Sequence, residues 1–181
     1  MKTAYFSLGC FWSPQLEFEK IKGVKKAEVG YCGGNDPNTT YEKVCSGSTN
    51  HAETVKVEFD ENIVSYEELV RIFFKIHDPT QLNRQGPDVG AHYRSALVPQ
   101  SREQAAVAAA YLQQLRAARL WSKPIVTKIE RARTFYPAER YHQDFMLKNP
   151  RHGYIVRWDA PKVRALKAMY PGVYSAKFQP N

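Results

Sequence analysis

Cys10 is the residue of this sequence with the clearest capacity for chemistry. It lies in the stretch FSLGCFWSPQ, after a short apolar run and before two large aromatic residues. Ser13 and Pro14 predict a helix that begins directly after it, and the free backbone N–H groups of a helix start stabilise an anion. We therefore expect a lowered pKa for the Cys10 thiol, as in a nucleophile, although such a cysteine is also typical of a core.

Other segments supply polar and apolar partners for a nucleophile. Glu53 heads the alternating strand pattern ETVKVEFD, so a carboxyl that faces a pocket there would have a raised pKa and could donate a proton. Tyr41 and Tyr93 are phenols close to loops. Phe11 and Trp12 are flat apolar side chains that could hold a small group such as a methyl. Taken singly, each of these residues also fits an ordinary structural role.

Strand and helix patterns alternate along the chain and must position these residues. The predicted strands cover residues 3–10, 24–31, 53–60, 94–98 and 124–130, and the predicted helices begin at Ser13, Ser65 and Ser101 and cover 137–149 and 162–169. Residues 77–93 form a long polar segment, typical of a functional loop. We predict an α+β fold, a two-layer sandwich with a mixed β-sheet, a ferredoxin-like α/β plait core and an irregular C-terminal tail.

Composition excludes several classes of protein. A chain of 181 residues with 43% hydrophobic and 24% charged residues is typical of one globular domain, and no apolar run approaches the roughly 18 to 20 residues of a membrane span. Without a recognisable signal peptide, we expect a cytoplasmic protein with reduced cysteines. The net charge of +8 is concentrated in residues 91–181, but the basic residues are scattered singly. We therefore expect a solvated basic face and no nucleic-acid partner.

Several motifs together resemble the A-type peptide methionine sulfoxide reductases. They are GCFW, GYCGG, TYEKVCSGSTNHAE, HDPTQLNRQGPDVGAHYRSAL and FYPAERYHQDF, in the family's order over about residues 4–150. The resemblance implies thiol-dependent reduction of the S epimer of methionine sulfoxide, free or in proteins, and hence repair of oxidised proteins. It places a catalytic domain at residues 1–150, with residues 151–181 as an extension that packs on it and lacks cysteine.

The resemblance also assigns a role to each motif residue. Cys10 would be the nucleophile that becomes a sulfenic acid, and Phe11 and Trp12 would form the pocket for the substrate methyl group. Glu53 would donate a proton to the sulfoxide oxygen, and Tyr41 and Tyr93 would donate hydrogen bonds to it. Asp88 would organise the site through water, and His142 would be a substrate-binding residue. These residue types suit the reaction, because sulfoxide sulfur becomes electrophilic only when its oxygen is hydrogen-bonded or protonated.

The regeneration of Cys10 is where this chain departs from the family. Many members carry resolving cysteines in a glycine-rich C-terminal tail, but this chain has none after Pro150. Cys32, in a glycine-rich turn and expected to be exposed, could attack the sulfenic acid and leave a disulfide for thioredoxin. Cys45, expected to be buried and structural, could do the same, or glutathione with glutaredoxin could act on Cys10 directly. The sequence leaves these three routes open.

Two other functions are weighed against the reductase. Cys10, Cys32, Cys45 and His51 could bind zinc, but they lack a C-x-x-C pair, so we expect no metal and no bound cofactor. A module that only binds oxidised methionine would have no need of the nucleophile. We therefore expect an enzyme, and we expect it to be a monomer.

Overall fold

The fold is built on a six-stranded sheet in a computed structural model that describes residues 1–171. The strands are β1 (Lys2–Leu8), β2 (Val24–Cys32), β3 (Ala52–Phe59), β4 (Arg84–Gln85), β5 (Asp88–Val89), β6 (Ser95–Val98), β7 (Lys128–Ile129) and β8 (Tyr136–Pro137). The α-helices are α1 (Trp12–Glu19), α2 (Tyr41–Cys45), α3 (Tyr66–Lys75), α4 (Arg102–Ala118), α5 (Phe145–Lys148) and α6 (Ala160–Met169). Two 3₁₀ turns, at Ala91–Tyr93 and Arg140–His142, and a π-helical turn at Ile155–Asp159 complete the elements.

The sheet is mixed, as the sequence predicts. Its strand order is β7-β6-β1-β3-β2-β8, while β4 and β5 form a separate hairpin. All pairs in the large sheet are antiparallel except β6 with β7, which is parallel. The α+β class is therefore confirmed. No helix of the described residues is both long and apolar enough to cross a membrane.

The core lies where the central strands meet α1 and α3. On β1 the side chains of Ala4, Phe6 and Leu8 are buried at alternate positions, which is the period of a strand with one face on the core. Phe6 stacks on Phe18 of α1 with ring centroids 4.8 Å apart. The amphipathic α3 begins where predicted, because the Ser65 side chain accepts a hydrogen bond from the Glu68 N–H at 3.0 Å.

Two predicted elements are wrong. Of residues 124–130, only Lys128–Ile129 pair as a strand. The helix predicted over 137–149 is replaced by β8, a 3₁₀ turn and the four-residue α5, because tertiary contacts override the local pattern. The Gln143 amide accepts a hydrogen bond from the Val29 N–H (3.0 Å) and donates one to the Val29 carbonyl (2.8 Å), so this side chain binds the backbone of β2 as a strand would.

The segment after Pro150, predicted to be an irregular tail with a short helix, is mostly helical over residues 153–169. The helix predicted near 162–169 is present as α6, which begins at Ala160 and follows the π-helical turn. Ile155 and Val163 pack with Leu16 of α1 and Met146 in a second apolar cluster. Residues 172–181 lie outside the described part of the chain.

The turn after β2 is fixed by His51, one of the zinc candidates. Its Nδ1 accepts a hydrogen bond from the Gly34 N–H (2.9 Å), and its Nε2–H donates to the Asp36 carbonyl (2.9 Å). Both ring nitrogens are therefore engaged with backbone. Gly34 allows this close approach, because a Cβ added there would lie 2.1 Å from the Thr49 carbonyl oxygen.

We predict that Gly34→Ala lowers the free energy of unfolding by about 2 to 4 kcal/mol, because the new methyl group meets backbone that cannot rotate away. Gly153→Ala is the matched control: a Cβ at Gly153 meets nothing within 4 Å, and the change should stay within about 0.5 kcal/mol. Urea unfolding of both variants measures the difference. Equal stabilities would contradict the proposed constraint.

Candidate active site

Cys10 lies in the sharp turn between β1 and α1. Gly9 has a φ of +95°, a conformation that favours glycine. A Cβ at Gly9 would also lie 2.7 Å from Cβ of Gln85, so the glycine lets the β4–β5 hairpin approach the turn. The helix begins at Trp12 with Phe11 at the cap position, and Ser13 does not cap it as predicted. Cys10 is half-buried within this turn.

Glu53, on the neighbouring strand β3, is the residue that binds the backbone at the start of α1. It is the second residue of β3, stands opposite Tyr31 of β2 and is 2% exposed. Its Oε1 accepts a hydrogen bond from the Phe11 N–H at 3.1 Å, which brings the carboxyl to the residue that follows Cys10. Its Oε2 is buried and has no hydrogen-bond partner among the described residues. One carboxyl oxygen is therefore fixed, and the other is available to a ligand.

The carboxyl of Glu53 is protonated at neutral pH. Burial raises its pKa to about 8, the negative charge of Asp88 adds to this effect, and the hydrogen bond from Phe11 opposes it. A protonated Glu53 carries its hydrogen on one carboxyl oxygen and can donate it. The prediction of a raised pKa at this position is confirmed.

The prediction of a lowered pKa for Cys10 is wrong. Burial raises the pKa of the thiol well above its ordinary value, the charges of Glu53 and Asp159 raise it further, and the hydrogen bond from the Trp12 N–H only partly opposes them. The helix start is present, but desolvation and acidic neighbours outweigh it. The resting cysteine is therefore a thiol, and it must lose its proton during the reaction.

Tyr41 and Tyr93 lie near Cys10 and Glu53 on two different elements. Tyr93 ends the 3₁₀ turn that follows β5, and burial followed by the charges of Glu53, Tyr41 and Cys10 raises its pKa. Tyr41 begins α2, where its N–H donates to Glu139 Oε2 at 3.1 Å. Burial and the interaction with Cys45 raise the pKa of Tyr41, so both phenols stay protonated donors. The structure thus brings Cys10, Glu53 and the two phenols together.

Glu139 is a supporting residue that sequence reasoning missed. Besides the Tyr41 N–H, it accepts a hydrogen bond from the Tyr31 hydroxyl at 2.9 Å, and Tyr31 packs on Phe11 with ring centroids 5.8 Å apart. It stands in the segment FYPAERYHQDF, but nothing in its spacing indicates that it holds α2 against β2.

His142 supports an aromatic wall made by Phe11 and Trp12. The Trp12 Nε1–H donates to His142 Nδ1 at 3.1 Å, and the His142 ring packs on Phe11 with centroids 5.2 Å apart. Burial lowers the pKa of His142, so the ring is neutral and its hydrogen is on Nε2. On its face, Trp12 stacks on Phe145 with centroids 3.8 Å apart and planes 8° apart. The indole is therefore held in one orientation.

Asp88 and Tyr154 bring the C-terminal segment to the site. Asp88 belongs to the two-residue strand β5, and its Oδ2 accepts a hydrogen bond from the Tyr154 hydroxyl. Tyr154 also contacts Trp12 edge-on, with centroids 5.6 Å apart and planes 86° apart. Sequence reasoning missed Tyr154, because it follows the last motif quoted above and only the fold brings it near Cys10.

The exposures expected for Cys32 and Cys45 are both wrong. Cys32 is 2% exposed, because β2 extends one residue further than predicted and pairs it with Ala52; its Sγ donates to the Arg133 carbonyl at 3.6 Å. Cys45 ends the short helix α2, is exposed, and interacts with the Tyr41 hydroxyl. Across residues 1–171 no group of three or more His, Cys, Asp or Glu side chains is arranged to hold a metal ion.

We predict that Glu53→Gln stabilises the protein in alkaline solution. The folded-state pKa of Glu53, about 8, exceeds its ordinary value of 4.5. Between these values folding must take up a proton, so this carboxyl lowers stability as pH rises. The gain from Glu53→Gln over the parent protein should be larger at pH 8 than at pH 5 by about 2 to 4 kcal/mol in urea unfolding. Glu61→Gln at an exposed site is the control, and an equal gain at both pH values would refute the assignment.

Comparisons with known proteins point to one family. The family model for peptide methionine sulfoxide reductase matches residues 2–171. Peptide methionine sulfoxide reductase MsrA 2 of Mesorhizobium japonicum is 48% identical over 97% of this chain and 91% of its own length.

Solved structures resemble the fold as well. The reduced form of Mxr1 from Saccharomyces cerevisiae has a TM-score of 0.77 and 34% identity, over 83% of this chain and 87% of its own. Methionine sulfoxide reductase A of Corynebacterium diphtheriae has a TM-score of 0.72 and 37% identity, over 82% of this chain and 75% of its own. Mxr1 has also been solved in complex with Trx2, with a TM-score of 0.56.

The motifs, the acid beside Cys10 and these likenesses lead to one conclusion. The chain belongs to the peptide methionine sulfoxide reductase family and is an oxidoreductase that uses thiols to reduce the S epimer of methionine sulfoxide, free or in proteins, to methionine.

Proposed function

We propose that Cys10 attacks the sulfoxide sulfur while Glu53 protonates the sulfoxide oxygen. The observation that supports this most strongly is the Glu53 carboxyl, which is buried, protonated at neutral pH, bonded through Oε1 to the Phe11 N–H and unpaired at Oε2. An acid in this state beside a cysteine suits a substrate whose oxygen needs a proton. The Tyr41 and Tyr93 hydroxyls add two donors for the same oxygen.

The proposed step balances without an added oxidant or reductant. The proton of Glu53 moves to the sulfoxide oxygen while the Cys10 sulfur bonds to the substrate sulfur. The hydroxyl group then passes from the substrate sulfur to the Cys10 sulfur, so that the sulfur–oxygen bond of the substrate and the new sulfur–sulfur bond both break. The thiol proton of Cys10 restores the Glu53 carboxyl. Methionine leaves, and Cys10 is oxidised to a sulfenic acid. The raised pKa of the resting thiol fits this order, because its proton departs only when the substrate accepts one.

Phe11 and Trp12 form the proposed pocket for the substrate methyl group. Phe11 is 1% exposed and Trp12 is partly buried, so their surfaces near Cys10 offer an apolar contact of small area. His142 acts in this proposal by holding Trp12 through its Nδ1 atom, as the 3.1 Å hydrogen bond indicates. Asp88 orders the polar side of the pocket, where its charge faces Glu53 and Tyr93.

We predict that Cys10→Ser abolishes methionine formation and that Glu53→Gln slows it by about 10²- to 10⁴-fold. Reduced protein would be mixed with the S epimer of a blocked methionine sulfoxide, and methionine would be counted over time without external reductant. Glu17→Gln is the matched control, because Glu17 is equally buried and its pKa is also raised to about 8. An active Cys10→Ser variant would sink the proposal, as would equal losses in the two glutamate variants.

We also propose Cys45 as the residue that resolves the sulfenic acid. Cys45 is exposed and interacts with Tyr41, which lies beside Cys10, whereas Cys32 is buried at the end of β2 against the Arg133 carbonyl. Attack by the Cys45 thiol on Cys10 would form a disulfide and release water. Thioredoxin would then reduce the disulfide, as the Mxr1 complex with Trx2 suggests. Glutathione with glutaredoxin would serve an enzyme in which no second cysteine reacts.

Thiol counts after a single turnover test this assignment. We predict that the parent protein and Cys32→Ser lose about two thiols for each methionine formed, and that Cys45→Ser loses about one. Two thiols lost in Cys45→Ser and one in Cys32→Ser would assign the role to Cys32 instead. One thiol lost in the parent protein would point to a one-cysteine cycle with an external thiol.

We also propose a ferredoxin-like topology, one functional unit that includes the C-terminal extension, a monomer and a cytoplasmic location. The strand order β6-β1-β3-β2 is fully antiparallel, and β1-α1-β2 and β3-α3-β6 are two β-α-β units, which supports a ferredoxin-like plait. The described part of 151–181 packs on α1 through the cluster of Ile155 and Val163, which supports one functional unit with residues 1–150. One chain supplies every site residue, which supports a monomer, and turnover by thiols suits a reducing compartment such as the cytoplasm.

A further inference from the structure

We propose that the ion pair between Arg94 and Glu130 positions the Tyr93 hydroxyl for the sulfoxide oxygen. Arg94 follows Tyr93 directly in the sequence, and Glu130 stands 36 positions after Arg94. The inference rests on the proposed function, because it takes Tyr93 as a hydrogen-bond donor to that oxygen. It adds a positioning residue, Arg94, that acts on the reaction through Tyr93.

The two side chains of this pair meet in a bidentate geometry. Arg94 Nε donates to Glu130 Oε2 at 2.7 Å, and Arg94 Nη2 donates to Glu130 Oε1 at 3.0 Å. The two side chains are only 17% and 21% exposed, so water competes less for this pair than for an ion pair on the surface. Two parallel bonds of this kind fix the plane of the guanidinium group. The pair is therefore a rigid support.

The fixed guanidinium holds the turn that carries Tyr93. Arg94 Nη1 donates to the Ala91 carbonyl at 3.1 Å, and the Arg94 backbone N–H donates to the same oxygen at 3.2 Å. The Tyr93 N–H donates to the Gly90 carbonyl at 3.0 Å. A 3₁₀ turn this short has few hydrogen bonds of its own. The contacts from Arg94 therefore determine where the turn, and with it the Tyr93 ring, lies.

The same arginine also reaches the segment that leads into β3. Arg94 Nη2 donates to the carbonyl of Asn50, three residues before Glu53, at 3.1 Å. This bond stabilises Asn50 in the left-handed region, at a φ of +60°. The 3₁₀ turn packs against β3 as well. Arg94 thus connects the turn of Tyr93 with the strand of Glu53, and these two elements carry the hydroxyl and the carboxyl proposed for one substrate oxygen.

Glu130 and Gly33 secure the ion pair to the sheet. The Glu130 N–H donates to the Leu97 carbonyl of β6 at 2.9 Å, so the carboxylate is attached to a fixed backbone. Gly33 follows β2 with a φ of +93°, and a Cβ there would lie 2.7 Å from Arg94 Nη2 and 2.9 Å from Glu130 Oε1. The pair therefore occupies a space that only glycine at this position leaves open.

Steady-state kinetics with the S epimer of a blocked methionine sulfoxide and dithiothreitol test the proposal. We expect Arg94→Lys to lower kcat about tenfold, because lysine keeps the charge but cannot make the two parallel bonds that hold the turn. KM should stay within about twofold, since the hydroxyl acts on charge that develops in the transition state. Glu130→Gln should lower kcat to a similar extent. The double variant should be no more than about twofold slower than either single variant, because both remove the same interaction.

A Tyr93→Phe background separates positioning from a purely structural role. If Arg94 acts through the Tyr93 hydroxyl, adding Arg94→Lys to Tyr93→Phe should slow it by no more than about twofold. A further tenfold loss, about the same as in the parent protein, would overturn the inference, because the ion pair would then act on another group. A parent-like kcat for Arg94→Lys beside an impaired Tyr93→Phe would also overturn it. A parent-like Tyr93→Phe would remove the role of Tyr93 and this inference together, while the Cys10 and Glu53 variants test the reaction separately.

Arg71→Lys is the matched control. Arg71 pairs with Glu68 within α3 at 3.5 Å, and its side chain is 46% exposed, so its kinetics should equal those of the parent protein. Thermal melting checks that each variant is folded. Should Arg94→Lys fail to fold, Glu130→Gln in the parent and in the Tyr93→Phe background gives the same test with the same outcomes.

Discussion

The hydrogen bond between the Glu53 carboxyl and the Phe11 N–H is the interaction on which the site depends. It joins the second residue of β3 to the start of α1, and so it places an acid next to the cysteine in the turn between β1 and α1. The bond is made inside the protein, where water does not compete and where an ionised carboxyl is unfavourable. The same burial that strengthens the bond keeps the acid protonated, so position and chemical state have one cause.

The buried, protonated carboxyl of Glu53 suits the proposed reaction but lowers the stability of the folded protein. A carboxyl that remains protonated at neutral pH obliges the chain to take up a proton when it folds, which weakens the folded state as pH rises. Glu17 of α1 and Asp159, whose charges interact, are buried in the same way, and burial raises their pKa values to about 8 and about 6. The α1 region therefore concentrates acidic groups whose ionisation the fold resists. A thiol in such surroundings is protected from ionising in the absence of substrate.

The environment of Cys10 also explains how reactivity can be confined to the substrate. A thiolate that is always present would react with any oxidant that reached it, since thiolate character controls cysteine oxidation. Here burial and acidic neighbours raise the pKa of the thiol. In the proposed reaction the sulfoxide oxygen accepts the proton that allows the thiol to react. Cys45, exposed at the end of α2, stands in different surroundings, as the proposed role in the later thiol exchange requires.

Much of the fold and the residues of the site were determined by the sequence itself. A short apolar run predicted β1, alternating apolar residues predicted β3, the capping residues Ser65 and Ser101 predicted α3 and α4, and the motifs indicated Cys10, Glu53 and the two phenols. These signals are local: a strand face or a helix cap is encoded by residues a few positions apart. A polar residue in an otherwise apolar strand pattern, such as Glu53, likewise indicates a functional residue from the sequence alone.

Tertiary structure alone decided the segment at 137–149, the pKa of Cys10, the exposures of Cys32 and Cys45, and the place of Tyr154. The Gln143 amide replaced a predicted helix by bonding to β2, more than a hundred positions away in sequence. Desolvation and the charges of Glu53 and Asp159 raise the pKa of the Cys10 thiol, and those residues stand 43 and 149 positions after Cys10 in the sequence. Burial and electrostatic energy depend on what surrounds an atom in space, and that neighbourhood exists only once the chain has folded.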